Sequence, residues 1–346
     1  MRFYKDSNKV YLDSAKASPY YHELLDWRNN YEKKSLIKKS EIRVNHKNIV
    51  ENVKNELADF FELKNGDVFI TNSFSQGFQS LVNQIKGKPK FIVLEGDYPS
   101  ISNAIKKNNF ELIFVKNDSQ IEKNIKIAVD KFDPDFLAIS VVQWIDGILI
   151  DENFLKKLKS IYKNLTIIAD GTQFCGTCNF NFEKSPYDVL ISSGYKWMFA
   201  GYGVAFLLIK NHFYKNIFLK SDKLKMKNAI EIGHYDMLAI GSLSFSLKKL
   251  SKSINAIEKK LKELSRIVMF ELINLNQLDH KVKIRTKHST IFNIKDPEGA
   301  LYDLLTNNNF ICSKRGNGVR ISFNFFNNKT EIKKLIKTIK KFNSLP

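Results

Sequence analysis

The sequence predicts an α/β protein: a large domain with a mostly parallel sheet between helices, then a small C-terminal α+β domain. Three observations predict this. From about residue 50 to residue 209, short apolar runs alternate with helical stretches. Beyond residue 245 the pattern becomes a long amphipathic helix, strands and a final helix. The informative polar residues cluster where the apolar runs end, which is where open parallel sheets bind ligands.

In chain order, FIVLEG (91–96), FLAISVVQW (136–144), LTIIADG (165–171), DVLISSG (188–194) and GVAFLLIK (203–210) read as strands. Their near-continuous apolar character suits strands covered on both faces. ISNAIKKNN (101–109) and ENFLKKLKSIYKN (152–164) read as helices between them. Residues 245–275 carry apolar positions three and four apart, and predict one long amphipathic helix. Next come strand candidates VKIRT (282–286) and STIFNI (289–294) and a helix over 297–305. Two strands follow, around Ile311 and over 319–325, and a basic helix over 329–342. The expected division is an N-terminal segment 1–20 packing on the small domain, a large domain 21–230 and a small domain 231–346.

Composition narrows the function. Hydrophobic residues at 43% and charged residues at 26% are those of an ordinary globular chain. MRFYKDSNKVYLD has no apolar h-region, and runs such as VAFLLI (204–209) are far too short to span a bilayer. A cytoplasmic protein without membrane partners is expected. Three cysteines make no disulfide framework, and Cys175-x-x-Cys178 lacks the second ligand pair a zinc site needs. The formal charge of +19 raises nucleic acid as a partner. The lysines are dispersed, however, and the basic last helix reads as a solvated face over a buried one. Nucleic acid is therefore not the expected partner, although the positive field favours anionic ligands.

Asp170 closes LTIIAD, and Ser192, Ser193 and Lys196 follow DVLI. Gln143 and Trp144 end FLAISVV, and Asp97 and Tyr98 follow FIVLEG. An acid, an amide, a hydroxyl pair, aromatic rings and a lysine at neighbouring strand ends suit pyridoxal 5'-phosphate (PLP). That cofactor needs a lysine for its aldehyde, a carboxylate against its pyridine nitrogen and donors for its phosphate. The lysine must lose its proton near neutrality, which burial and neighbouring positive charge promote.

The segment IIADGTQFCGTCNFNFEKSPYDVLISSGYKWMFAGYGVAFLLI closely resembles the class V aminotransferases, the group with cysteine desulfurases, isopenicillin epimerase-like enzymes and kynureninase. The shared pattern is a strand ending Asp-x-x-Gln, then a strand leading to Ser-x-x-Lys. The likeness runs from Tyr11-Leu12-Asp13 to the C-terminal helix. It implies fold type I of the PLP-dependent enzymes, with a sheet of the seven-stranded type. It also implies that Lys196 holds the cofactor as a Schiff base, Asp170 faces the pyridine nitrogen and Gln173 approaches the ring hydroxyl. TNSFSQGFQSL (71–81) matches the phosphate turn, so Phe74 and Ser75 with the nearby helix start would take the phosphate. Ser193 and Tyr195 would add contacts, Tyr195 standing where desulfurases carry His. Tyr98 would stack on the ring, and Trp144 occupies a position often polar in relatives. GNGVRISFNFFNN (316–328) resembles the motif whose arginine, here Arg320, clamps a substrate carboxylate. EIGHYDM (231–237) puts His234 where relatives reach the phosphate of a partner subunit, implying a homodimer with shared sites.

Plainer readings stand beside these. Arg320 could be a strand arginine in an ion pair, Tyr98 a core aromatic, and His234 part of a local hydrogen-bond network. Gly201 and Gly203 resemble a nucleotide loop, but suit a tight turn better. The expected activity is aminotransferase-like chemistry on a small amino acid. The alternatives are a PLP-dependent lyase, cysteine desulfurase or epimerase, and a basic binding protein without catalysis. Desulfuration is disfavoured because Lys314-Arg315-Gly316-Asn317-Gly318 stands where desulfurases carry a mobile cysteine, and Cys312 reads as core.

Overall fold

Apolar strands buried on both faces organise the molecule, a computed structural model that describes residues 1–4, 8–219 and 222–344. The chain opens with β1 (Val10–Tyr11), α1 (His22–Lys38), a 3-10 turn (Lys39–Asn45) and α2 (His46–Phe60). It continues through β2 (Gly66–Thr71), α3 (Phe74–Val82), β3 (Lys90–Leu94), α4 (Pro99–Lys107), β4 (Glu111–Val115), α5 (Ile121–Phe132) and β5 (Phe136–Ser140). Then come α6 (Glu152–Ile161), β6 (Thr166–Asp170), β7 (Val189–Ser193) and β8 (Ala205–Lys210). The rest comprises α7 (Lys223–Ile230), α8 (Met237–Ser251), α9 (Ile254–Asn274), α10 (His280–Lys283), β9 (Ile291–Lys295), α11 (Ala300–Asn307), β10 (Phe310–Ile311), β11 (Ser313–Arg315), β12 (Gly318–Ser322) and α12 (Lys329–Asn343).

Seven strands form the main sheet in the order β2-β8-β7-β6-β5-β3-β4. The neighbours from β4 to β7 run parallel, and β8 lies antiparallel to both β7 and β2. Alternate residues of each strand face opposite sides. Val68, Ile70, Leu137, Ile139, Ile167, Ala169, Leu190 and Leu208 join one apolar core. Phe69, Phe91, Phe136, Ala138, Ile168, Val189, Ile191 and Leu207 join the other, under Phe78, Leu81, Ile101, Ile105 and Met226. This is the α/β architecture expected, and it explains the unbroken apolar runs. A three-stranded antiparallel sheet, β11-β12-β9, forms in the C-terminal part, while β1 pairs in parallel with β10.

Two expectations are corrected. The single helix over 245–275 is two helices. The first starts at Met237, where Asp236 Oδ1 accepts the N–H groups of Leu238 and Ala239, and it ends at Ser251. At Ser251-Lys252-Ser253 serine hydroxyls compete for backbone bonds, with Ser251 Oγ donating to the Leu247 carbonyl. The apolar pattern continues across the break because Leu243, Leu247 and Leu250 of the first helix and Ile254, Ile257 and Leu261 of the second are all buried. The strand over 282–286 is also absent. Asp279 caps the one-turn helix α10, and Arg285 is drawn instead into a forked ion pair with Glu122.

Helix α8 packs against α1 and α2. A Cβ at Gly241 would lie 2.3 Å from Trp27 Cη2, so only glycine lets this rigid ring approach. Gly241→Ala should lower stability by about 1–3 kcal/mol, the usual cost of overpacking. Thermal or urea unfolding checks this, and an unchanged midpoint would show that Trp27 yields freely.

Candidate active site

The carboxyl ends of β5, β6 and β7 meet the start of α3 around one cavity. It is lined by Ser73, Phe74, Ser75, Tyr98, Ser140, Trp144, Asp170, Thr172, Gln173, Ser193, Tyr195 and Lys196. Nine of the expected site residues therefore come together. Arg320 lies beside the cavity without lining it, and its guanidinium field reaches Lys196. His234 is exposed and bonds Arg43 Nη2 at 2.8 Å, away from the cavity of its own chain. Thr172 and Ser140 were not among the sequence candidates. Thr172 sits inside the Asp-Gly-Thr-Gln run, two residues past an aspartate, where an Asx-type turn was readable.

Lys196 follows β7 and is only 7% exposed. Burial lowers its pKa to about 8, Asp170 opposes that shift, and Arg320 and Arg315 reinforce it. Its Nζ lies 5.9 Å from the Tyr98 ring centre and 5.5 Å from that of Tyr195. The Asp170 carboxyl, buried at the end of β6, is pushed up to about 6 by desolvation. Hydrogen bonds from Thr172, including its N–H to Oδ1 at 2.8 Å, and the Lys196 charge hold it down. Each charge thus limits what burial does to the other.

Gln173 is fixed from both sides: the Trp197 indole donates to its Oε1 at 2.8 Å, and its Nε2 donates to the Ala15 carbonyl at 2.9 Å. At the start of α3, Ser73 Oγ accepts the Gln76 N–H and Ser193 Oγ accepts the Phe74 N–H at 3.0 Å. Ser75 Oγ and Ser100 Oγ are 2.7 Å apart. Hydroxyls around a helix start make a natural anion cradle. The Tyr98 ring meets Phe74 and Trp144 edge-on, and the Trp144 indole donates to the Gly96 carbonyl at 3.0 Å. Tyr195 stacks on Tyr202, and burial pushes its hydroxyl up to about 12, so it stays protonated. Gly201, at φ 77°, leaves room for the end of the Tyr20 ring, whose hydroxyl would lie 2.6 Å from a Cβ there, which supports the tight-turn reading over a nucleotide loop.

Arg320, on β12 and 2% exposed, donates from Nη1 to the Trp144 carbonyl at 2.9 Å, and its Nη2 lies 3.5 Å from Asp13 Oδ1. Its Nε is buried without a partner. The three cysteines are free, none lines the cavity, and burial raises all three thiols. Cys312 packs in the core as expected. Among the described residues there is no cluster suited to a metal ion, and no helix long and apolar enough to cross a membrane.

These donors match PLP: a buried amine poised to deprotonate near neutrality, a carboxylate held on the adjacent strand and hydroxyls at a helix start. The family comparison agrees. The aminotransferase class-V model matches residues 10–335, and the chain belongs to this family of PLP-dependent enzymes. Among individual proteins it is similar to the "Probable cysteine desulfurase" of Mycoplasma genitalium, at 26% identity over 84% of this chain and 81% of that one. The NifS-like protein of Rickettsia africae superposes with a TM-score of 0.80 at 16% identity, over 97% of this chain and 100% of that one. A C-DES variant with glycine covalently linked to its PLP cofactor also gives a TM-score of 0.80, at 13% identity over 96% of each chain. The fold is thus that of the PLP-dependent fold type I enzymes.

The electrostatics give a testable sign. Asp170 is charged above about pH 6 and raises the Lys196 pKa, so its neutralisation must lower it. Reductive methylation of Lys196 in the apoprotein, followed by mass spectrometry, should titrate near pH 8. In Asp170→Asn the midpoint should fall; a rise would mean that Asp170 does not face the amine.

Proposed function

We propose that the chain is a PLP-dependent lyase cleaving the Cβ–S bond of a cysteine-type amino acid, with Lys196 as the base. The observation that carries this is the buried Lys196 amine, with its pKa near 8, facing Asp170 across the cavity. Bound PLP would withdraw electrons from the substrate Cα and so labilise its proton and the bond at Cβ. Asp170 would hold a proton at the pyridine nitrogen, and Phe74, Ser75, Ser193 and Tyr195 would surround the phosphate. Gln173, Tyr98 and Trp144 would fix the ring. Arg320 would receive the α-carboxylate, since its unpartnered Nε is a buried donor that lacks an acceptor.

The transamination expected from the sequence uses the same base, but the lyase alternative fits the relatives better. Similar proteins carry cysteine desulfurase names, and one similar structure is the cystine C–S lyase C-DES with its product cysteine persulfide. No cysteine of this chain lines the cavity, which favours release of sulfur on a small product over transfer to an enzyme thiol. The reaction balances as RS–CH2–CH(NH2)–COOH plus water giving RSH, pyruvate and ammonia. The Cα proton goes to Lys196, and the C–S electron pair leaves on sulfur.

Purified enzyme loaded with PLP and given L-cystine should release pyruvate and a persulfide in equal amounts, and Lys196→Ala should lose at least 10³-fold in rate, the scale of removing a catalytic base. A keto acid that retains sulfur, formed with aminated cofactor, would select transamination. Full turnover by Lys196→Ala would refute the base assignment.

The proposal includes a homodimer in a cytoplasmic setting, where free thiols persist. Leu36, Ile37 and Val44 lie exposed at the end of α1 and in the following turn, and Ile232 lies exposed in the segment that the Arg43–His234 bond ties to that turn. Light scattering should give twice the chain mass, with Ile37→Asp shifting it to monomer.

A further inference from the structure

We propose that Asp13 is the positioning residue of Arg320: it holds the guanidinium for a substrate carboxylate from a distance that leaves Nε free. This inference rests on the reading of Arg320 as the carboxylate receiver.

Both side chains are nearly inaccessible, with Asp13 at 3% and Arg320 at 2%. A buried guanidinium needs a counter-charge, and breaking such a pair leaves an uncompensated charge in the interior. Asp13 supplies that charge, but its Oδ1 stands 3.5 Å from Nη2, too far for a strong hydrogen bond. The other anchor is the Trp144 carbonyl, 2.9 Å from Nη1. These two contacts engage both Nη atoms and leave Nε buried and unpartnered. A carboxylate binds arginine best through two parallel N–H donors; Nε is free, and Nη2, which carries two N–H groups, meets Asp13 only at 3.5 Å.

Asp13 is itself held firmly. Ser313 Oγ donates to its Oδ2 at 2.5 Å, and its backbone bridges Ser322, two residues from Arg320 on β12. The next residues continue the attachment: the Ala15 N–H donates to Ser322 Oγ, and the Ala15 carbonyl accepts Gln173. The strap that steers the arginine therefore also ends on the residue expected against the cofactor ring.

A purely structural Asp13 would affect all ligands alike, whereas a positioning Asp13 affects only those with a carboxylate. The test titrates the PLP-loaded enzyme with S-methyl-L-cysteine and with 2-(methylthio)ethylamine, which lacks the carboxylate, following the visible spectrum of the bound cofactor. Asp13→Asn should raise half-saturation at least tenfold for the amino acid and leave the amine unchanged. Ser313→Ala, which keeps the charge but frees the carboxylate, should shift the same ratio in the same direction by less. Equal shifts for both probes, or none, overturn the proposal. If Asp13→Asn does not fold, Ser313→Ala decides alone, an unchanged ratio being the adverse result. If wild-type enzyme responds to neither probe, the functional reading falls and this proposal falls with it. A wild-type response with an unaltered ratio in the variants removes only the role of Asp13.

Discussion

The site depends on two opposite charges kept in a place where neither is comfortable alone. Burial drives the Lys196 amine and the Asp170 carboxyl each toward neutrality, and their mutual field opposes both shifts. The outcome is an amine that loses its proton near pH 8 and a carboxyl still charged at neutral pH. A lysine in water keeps its proton to well above that pH, and an aspartate in water loses its proton well below the pH at which Asp170 does. Strand geometry produces the pairing. β6 and β7 are adjacent and parallel, so the last residue of one and the turn after the other come out at the same edge of the sheet. Thr172, two residues past Asp170, satisfies the carboxylate with its backbone N–H and keeps it from becoming an unpaired buried charge.

A second carboxylate shows how the cavity wall is kept in place. Asp97, beyond the end of β3, accepts from the Ser140 N–H at 3.0 Å, the Ser140 hydroxyl at 2.5 Å and the Tyr98 N–H at 2.7 Å. It thereby ties the end of β5 to the residue that carries the Tyr98 ring into the cavity. Burial raises its pKa, these donors oppose the rise, and its charge pushes Asp170 upward in turn. The residue is therefore coupled to the cavity of Lys196 and Asp170 without lining it.

The central sheet was readable because both of its faces are buried, so Phe136–Ser140, Thr166–Asp170, Val189–Ser193 and Ala205–Lys210 are apolar throughout. The cavity was readable because strand ends carry its chemistry. What stayed hidden depends on contacts between distant segments. Helix α1 buries Leu24 alone and has no apolar stripe to read. The break between α8 and α9 leaves the apolar spacing intact, and 282–286 alternates like a strand while Arg285 answers to Glu122 on α5. The plainer reading of Arg320 as a strand arginine in an ion pair matches the geometry. The ion pair with Asp13 is real, yet long enough to leave donors free. A motif at residues 316–328 cannot reveal a partner three hundred positions earlier.

That distance has a consequence for assembly. Ala15 and Ser322, joined by a hydrogen bond, are 307 positions apart, and Asp13 and Ser313 are 300 apart. The N-terminal strap also sends the Ser18 N–H to the Tyr195 carbonyl, next to the lysine, at 3.1 Å. Closing so long a loop costs entropy that must be met before these contacts reward it. Lys196, Asp170 and the hydroxyls at the start of α3 lie between residues 73 and 196, and close over shorter separations. The entropy cost of bringing them together is therefore smaller than that of bringing Asp13 to Arg320.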